Sequence, residues 1–151
     1  MDNKKSSQLW QITCNKSQLK LIAKALENYS RRLGGQFSRY EDIVIRDLAE
    51  KRLIAANTED NFDYQKFSED LQKTLIDLKK LLFPEFPDGS GSYGFDHTPE
   101  IGNSYQIYRT IYHELSKENN DNSVYRRPPL PSGTLGPIKV EKIKKDYGKE
   151  Q

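Results

Sequence analysis

The sequence predicts an α+β fold: a central region of four helices flanked by a small antiparallel sheet of N- and C-terminal strands, assembled as an oligomer. Three observations lead there. Apolar residues recur at spacings of three and four through the middle of the chain. Helix-capping and helix-breaking residues bound each such run. Both ends carry short stretches in which apolar and polar residues alternate.

The first strand is expected at Gln8–Cys14, where Leu9, Trp10, Ile12 and Cys14 supply the apolar positions. Cys14, with apolar neighbours, reads as a buried structural thiol; a lone cysteine cannot close an intramolecular disulfide. Asn15 followed by Gln18 then resembles a capping box. Leu19, Ile22, Ala23, Leu26, Tyr29 and Leu33 give the first helix one apolar stripe, which Gly34-Gly35 ends.

After a turn at Phe37–Tyr40, Ile45, Leu48, Ala49 and Leu53 support a second helix from about Glu41 to Ala55. Asn57–Asn61 breaks it. A third helix, about Asp63 to Leu82, aligns Phe67, Leu71, Leu75, Leu78 and Leu82 and stops before Pro84. Pro84, Pro87 and glycines 89, 91 and 94 exclude regular structure up to Phe95. Thr98 suits an N-cap and Pro99 the first position of a fourth helix lined by Ile101, Tyr105, Tyr108, Ile111, Tyr112 and Leu115. Val124-Tyr125 and Ile138–Ile143 are the two C-terminal strands expected, separated by Pro128, Pro129 and Pro131. A sheet of so few strands leaves open edges, which a homo-oligomer would cover.

At 151 residues the chain suits one domain, 1–151, with 1–7 and 144–151 as flexible ends. Only 34% of residues are apolar and 30% are charged, so the core is thin. The many tyrosines suit a subunit interface, a ligand pocket or the core edge. The net charge of +2 argues against nucleic acid as a partner, although Lys139, Lys142, Lys144, Lys145 and Lys149 make the C-terminus basic. Without a leader pattern or a long apolar run, a cytoplasmic protein with no membrane attachment is expected.

The sequence holds no recognisable catalytic set, and no cofactor is expected. His97 and His113 belong to no metal-binding spacing. Gly89-Ser90-Gly91-Ser92-Tyr93-Gly94 is formally a Gly-x-Gly-x-x-Gly string, but it follows a helix and two prolines, whereas the dinucleotide fingerprint follows a strand and opens directly into a helix. The loop nevertheless has chemical capacity. Glycine lets backbone N–H groups approach an anion, the serines add hydroxyls, and Tyr93 can stack on a flat ring. Arg109, Arg126, Arg127, Arg31 and Arg32 are the cations available for phosphate. A plain connector with ordinary surface arginines is the alternative.

A family resemblance bears on that choice. The strings Gln18-Leu19-x-x-Ile22-x-x-Ala25-Leu26-Glu27-x-Tyr29-Ser30-Arg31, Gly35-Gln36-Phe37, Leu81-Leu82-Phe83-Pro84, Ser92-Tyr93-Gly94 and Ile107-Tyr108-x-x-Ile111-Tyr112-His113 span most of the chain. Together they resemble the phage-borne family of first-class Thoeris anti-defence proteins, sponges for cyclic ADP-ribose signals made by bacterial TIR-domain enzymes. The resemblance implies tight binding without turnover, in the cytoplasm of an infected bacterium, by a homo-oligomer from dimer to hexamer. Some relatives also hold cyclic oligonucleotides at separate sites. It further implies a ligand pocket of Phe83, Ser92, Tyr93 and Gly94, with Arg109, Tyr112, Tyr125, Arg126 and Arg127 from the fourth helix and the following segment. This chain departs at Tyr112, where the family carries arginine; Arg109 lies one turn earlier, about 5.4 Å away along the axis. A second reading is an inhibitor that binds a host defence enzyme through a tyrosine-rich face.

Overall fold

In the computed structural model, residues 10–118 and 124–143 are described. The four expected helices form: α1 (Lys16–Leu33), α2 (Ile43–Ala56), α3 (Tyr64–Leu82) and α4 (Pro99–Ser116).

Each start is fixed by a side chain that takes an otherwise unpaired N–H. Asn15 Oδ1 accepts from Gln18 N at 2.9 Å while Gln18 Oε1 accepts from Asn15 N at 2.8 Å, a complete capping box. Asp42, Asp63 and Thr98 cap α2, α3 and α4 through Ile45, Lys66 and Ile101. Such a cap typically contributes about 1 kcal/mol. At the end of α1, Gly34 N and Gln36 N return to the carbonyls of Ser30 and Arg31, with Gly35 at φ 78°. Only glycine adopts that conformation without strain, so the turn is written into Gly34-Gly35.

The core lies between α1 and α4, which run antiparallel. Ser30 Oγ donates to Ile101 O at one end, and Lys16 meets Glu118 at 2.6 Å at the other. Ala23, Tyr108 and Ile111 are buried at the centre, with Leu19, Leu26, Tyr105, Ile107 and Leu115 around them. α2 joins this pair through Asp42, which is fully buried and ion-paired with Arg32 Nε, and through Asn28 Oδ1, which accepts from Ile43 N. α3 stands largely apart from the other helices. It is tied back by Arg39 to Ser68, by Arg39 N to Gln72 Oε1, and by Lys79 to the Gly91 carbonyl.

The expected sheet is absent: among the described residues there is no strand, and the fold is all-helical rather than α+β. Residues 10–14 have no regular structure, Trp10 and Ile12 are exposed, and Cys14 is only half-buried; Gln8 and Leu9 lie outside the described residues. Val124–Arg126 is a single 3-10 turn. Ile138 and Val140 do face inward, but they lie on the α1–α4 core as unpaired extended chain. The preceding segment is clasped across α4 by side chains. Asn103 Oδ1 accepts from Thr134 N at 2.7 Å and Leu135 N at 3.1 Å, and Gln106 Oε1 accepts from Gly133 N at 2.8 Å. Side-chain amides thus satisfy N–H groups of a segment that has no secondary-structure partner. The predicted ends, 1–7 and 144–151, also lie outside the described residues.

Candidate functional site

The residues expected in one pocket fall into two groups. Phe83, Ser92, Tyr93 and Gly94 gather at the C-terminal end of α1. Arg109, Tyr112 and Tyr125 gather about the middle of α4, with Arg126 and Arg127 beside them on the exposed 3-10 turn and its exit.

The first group forms an aromatic cluster closed by the glycine-rich loop. Phe83 caps α3 and lies 5.8 Å from Phe37, 6.4 Å from Phe86 and 6.2 Å from Tyr93 between ring centroids. Its ring also packs against Gly35, so the α1 turn and the α3 end fix each other. Tyr93 N donates to Gly34 O at 2.8 Å, docking the loop on α1. The Tyr93 ring stacks on His97 with centroids 3.6 Å apart, and its hydroxyl donates to Glu85. That bond holds the Glu85 carboxyl below, and the Tyr93 phenol above, its ordinary value.

Beneath the loop is a cleft of about 320 Å³. It is lined by Gly89–Ser92 of the loop, by Phe37, Ser38 and Glu41 from the segment before α2, and by Gln72, Leu75, Ile76 and Lys79 of α3. Gly89 and Gly91 both have φ near +75 to +79°, which lets the chain double back over α3. Asp88 takes Ser90 N and the Ser90 hydroxyl, which draws its carboxyl below the ordinary value. Gly91 N and Ser92 N make no hydrogen bond among the described residues. The buried Lys79 ammonium holds the Gly91 carbonyl and lies 5.6 Å from the Phe86 ring centroid. Phe37, shared by the cleft wall and the aromatic cluster, makes the two continuous.

The second group is organised around Glu27, buried on the face of α1 that meets α4. Glu27 Oε1 accepts from Arg31 Nε at 3.1 Å and Nη2 at 2.9 Å. Burial opposes the Arg31 charge, but the Glu27 bond and charge outweigh it and hold Arg31 above its ordinary value. Tyr108, Tyr112 and Tyr125 surround the pair, with Tyr112 4.6 Å from Tyr125. Desolvation, reinforced by the Glu27 charge, pushes the Tyr108 phenol up to about 12 and raises Tyr112 and Tyr125 as well.

Arg109 is buried here rather than in the cleft. Its Nη2 donates to Val124 O at 3.0 Å and Arg127 O at 3.5 Å, and the guanidinium lies 4.9 Å over Tyr125. His113 Nδ1 lies 3.0 Å from Tyr125 O. The side chain expected to meet phosphate thus anchors the chain's own 3-10 turn, although Arg109 Nε is buried without a hydrogen-bond partner.

Sequence reasoning missed Lys79, Phe86, Phe37, His97 and Glu27. Glu27 and Arg31 sit at the i,i+4 spacing of a helical ion pair, which was a usable signal. Among the described residues no three His, Cys, Asp or Glu side chains come together as a metal cage. No helix among them is long and apolar enough to cross a membrane. No protein-family model, curated protein or solved structure matches the chain.

Proposed function

We propose that this chain is a non-catalytic binding protein that sequesters a cyclic nucleotide signal of the cyclic ADP-ribose class in the cleft under Gly89–Ser92. The observation that carries the reading is the join of two unlike surfaces. A glycine-backed wall offers Gly91 N, Ser92 N and the Ser92 hydroxyl, and it runs directly into the Phe37–Phe83–Phe86–Tyr93 cluster. A cyclic nucleotide needs both: N–H donors for phosphate oxygens and an aromatic face for the base. A volume of about 320 Å³ lies at the small end of ligand pockets, so part of the ligand would protrude.

Glu41 in the lining opposes a phosphate, and the Lys79 ammonium partly offsets it. The sequence resemblance supports the same ligand class independently of the cleft. Calorimetric titration against cyclic ADP-ribose isomers and cyclic dinucleotides tests the reading. Binding of one member, with the ligand recovered intact after denaturation, is expected; binding of none at micromolar concentration overturns it. Exposed Tyr29 and Tyr40 favour a second reading, a protein-binding inhibitor. It predicts a stoichiometric complex with a host enzyme and no response to the ligand panel.

A further inference from the structure

The cleft under the loop does not end at Gln72 and Ile76. Both residues also line a second groove, of about 560 Å³, between α3 and the Arg39–Tyr40 turn. Ser68, Gln72, Ile76 and Lys80 recur every fourth residue, so one face of α3 runs along this groove. Lys80 also lies beside the start of the loop, where a Cβ added at Gly89 would meet its Cε at 3.4 Å. Cleft and groove are thus neighbours on one helix.

Arg39 sets the chemistry of the groove. Its backbone N donates to Gln72 Oε1 at 3.1 Å, its Nη1 donates to the Ser68 hydroxyl, and its guanidinium lies 5.4 Å over the Tyr40 ring. Arg31, Arg32 and Arg52 each hold a carboxylate, whereas Arg39 holds none among the described residues. Its Nε and Nη2 likewise make no hydrogen bond there. Lys73 and Lys80 line the same groove and also form no ion pair among the described residues. Glu69 and Asp77 oppose them, which leaves three cations against two carboxylates in the lining. A guanidinium fork held in place, with unused N–H groups and two ammonium groups nearby, suits an anion with several charged oxygens, as phosphates are. The arginine of α4 is not available for this, because Arg109 is bonded to the Val124 and Arg127 carbonyls.

We infer that this groove is the phosphate-binding extension of the cleft: Arg39, assisted by Lys73 and Lys80, holds the phosphate oxygens of a ligand that protrudes from the cleft across Gln72 and Ile76. That the ligand is a nucleotide rests on the reading above; the affinity of the groove for a diphosphate does not.

Titration of the full chain with inorganic pyrophosphate, followed by amide NMR, tests it. The amides of residues 39–40 and 72–76 are expected to shift. The dissociation constant is expected to rise about tenfold or more in Arg39→Gln, and several-fold in Lys73→Gln with Lys80→Gln. Lys51→Gln, on α2 outside the groove, is expected to change nothing. The lysine pair removes no bond of the folded chain among the described residues, so it keeps the test open if Arg39→Gln loosens α3. Absence of these shifts at millimolar pyrophosphate, unchanged affinity in the groove variants, or an equal loss in Lys51→Gln overturns the inference. A cyclic nucleotide bound equally by wild type and Arg39→Gln overturns it too, while the sequestration reading stands. Pyrophosphate held through Arg39, with no cyclic nucleotide bound, supports the groove and removes that reading.

Discussion

Tyr93 and His97 stack face to face, with ring centroids 3.6 Å apart and planes within 4° of parallel. One face of the tyrosine that the sequence offers to a base is thus already covered by the protein's own imidazole. A ligand base must use the Phe86 side of the cluster or displace His97. The His97 ring protons are expected well upfield of their ordinary NMR positions, shielded by the tyrosine face. Tyr93→Leu is expected to return them; unshifted protons in the wild type would disprove the stack.

Glu41 lines the same cleft as Gly91 and Ser92, its Oε2 accepting from Ser38 N at 3.1 Å, so its charge opposes any anion held there. Glu41→Gln is expected to tighten binding of a phosphate-bearing ligand several-fold, most strongly at low salt. A weakened affinity would place Glu41 among the ligand's partners instead.

Arg109→Lys is expected to destabilise the fold by about 1.5–3 kcal/mol in urea unfolding, since one amine cannot replace a buried guanidinium bonded to the Val124 carbonyl and stacked on Tyr125. Its effect on ligand affinity is expected to be small. The reverse pattern, a stable protein that binds poorly, would return Arg109 to the ligand site.

The tyrosines around Glu27 give the protein an alkaline limit. Tyr108 rises from an ordinary 10 to about 12 through burial and the nearby carboxylate. The folded state therefore holds this proton more tightly than the unfolded chain does. The stability this contributes is complete below pH 10 and is lost as pH rises toward 12. Urea midpoints followed from pH 9 to 12 are expected to fall across this window, and to fall less in Tyr108→Phe.

At the acid end the corresponding group is Glu118, held at about 2 by Lys142 and Lys16, with Lys142 at 2.8 Å. A depressed carboxyl contributes above its unfolded value of 4.5, and that contribution is lost as pH falls toward 2. Protection of the 138–142 backbone from proteolysis is expected to drop over that range and with salt. In Glu118→Gln it is expected to be low at every pH.

The helices were legible because their ends are local chemistry. Asn15-Gln18, Asp63 and Thr98-Pro99 each specify a helix start within four residues, and Gly34-Gly35 a stop. The sheet was misread because alternation reports one buried face and not hydrogen-bonded pairing. Ile138 and Val140 bury that face on α1 and α4 with no strand beside them. Around Val124, the carbonyls are taken by Arg109 and His113, side chains fifteen and twelve residues distant, which no local pattern reveals. The candidate site divided in the same way. Phe83 and Ser92–Gly94 are near in sequence and lie together, whereas the surroundings of Arg109 depend on where the segment after α4 returns.

The ligand reading is tested most directly by calorimetry of the wild type and Gly91→Val against cyclic ADP-ribose isomers and cyclic dinucleotides. A Cβ at Gly91 strains a backbone at φ +79° and presses on the Phe86 ring at 3.0 Å, so the variant displaces the loop donors while leaving the helices intact. Wild-type binding of one panel member, weakened at least about tenfold in Gly91→Val with unchanged helix content, is the expected result. Equal affinity in both proteins would move the site off the loop, and no binding by the wild type would contradict sequestration of a cyclic nucleotide altogether.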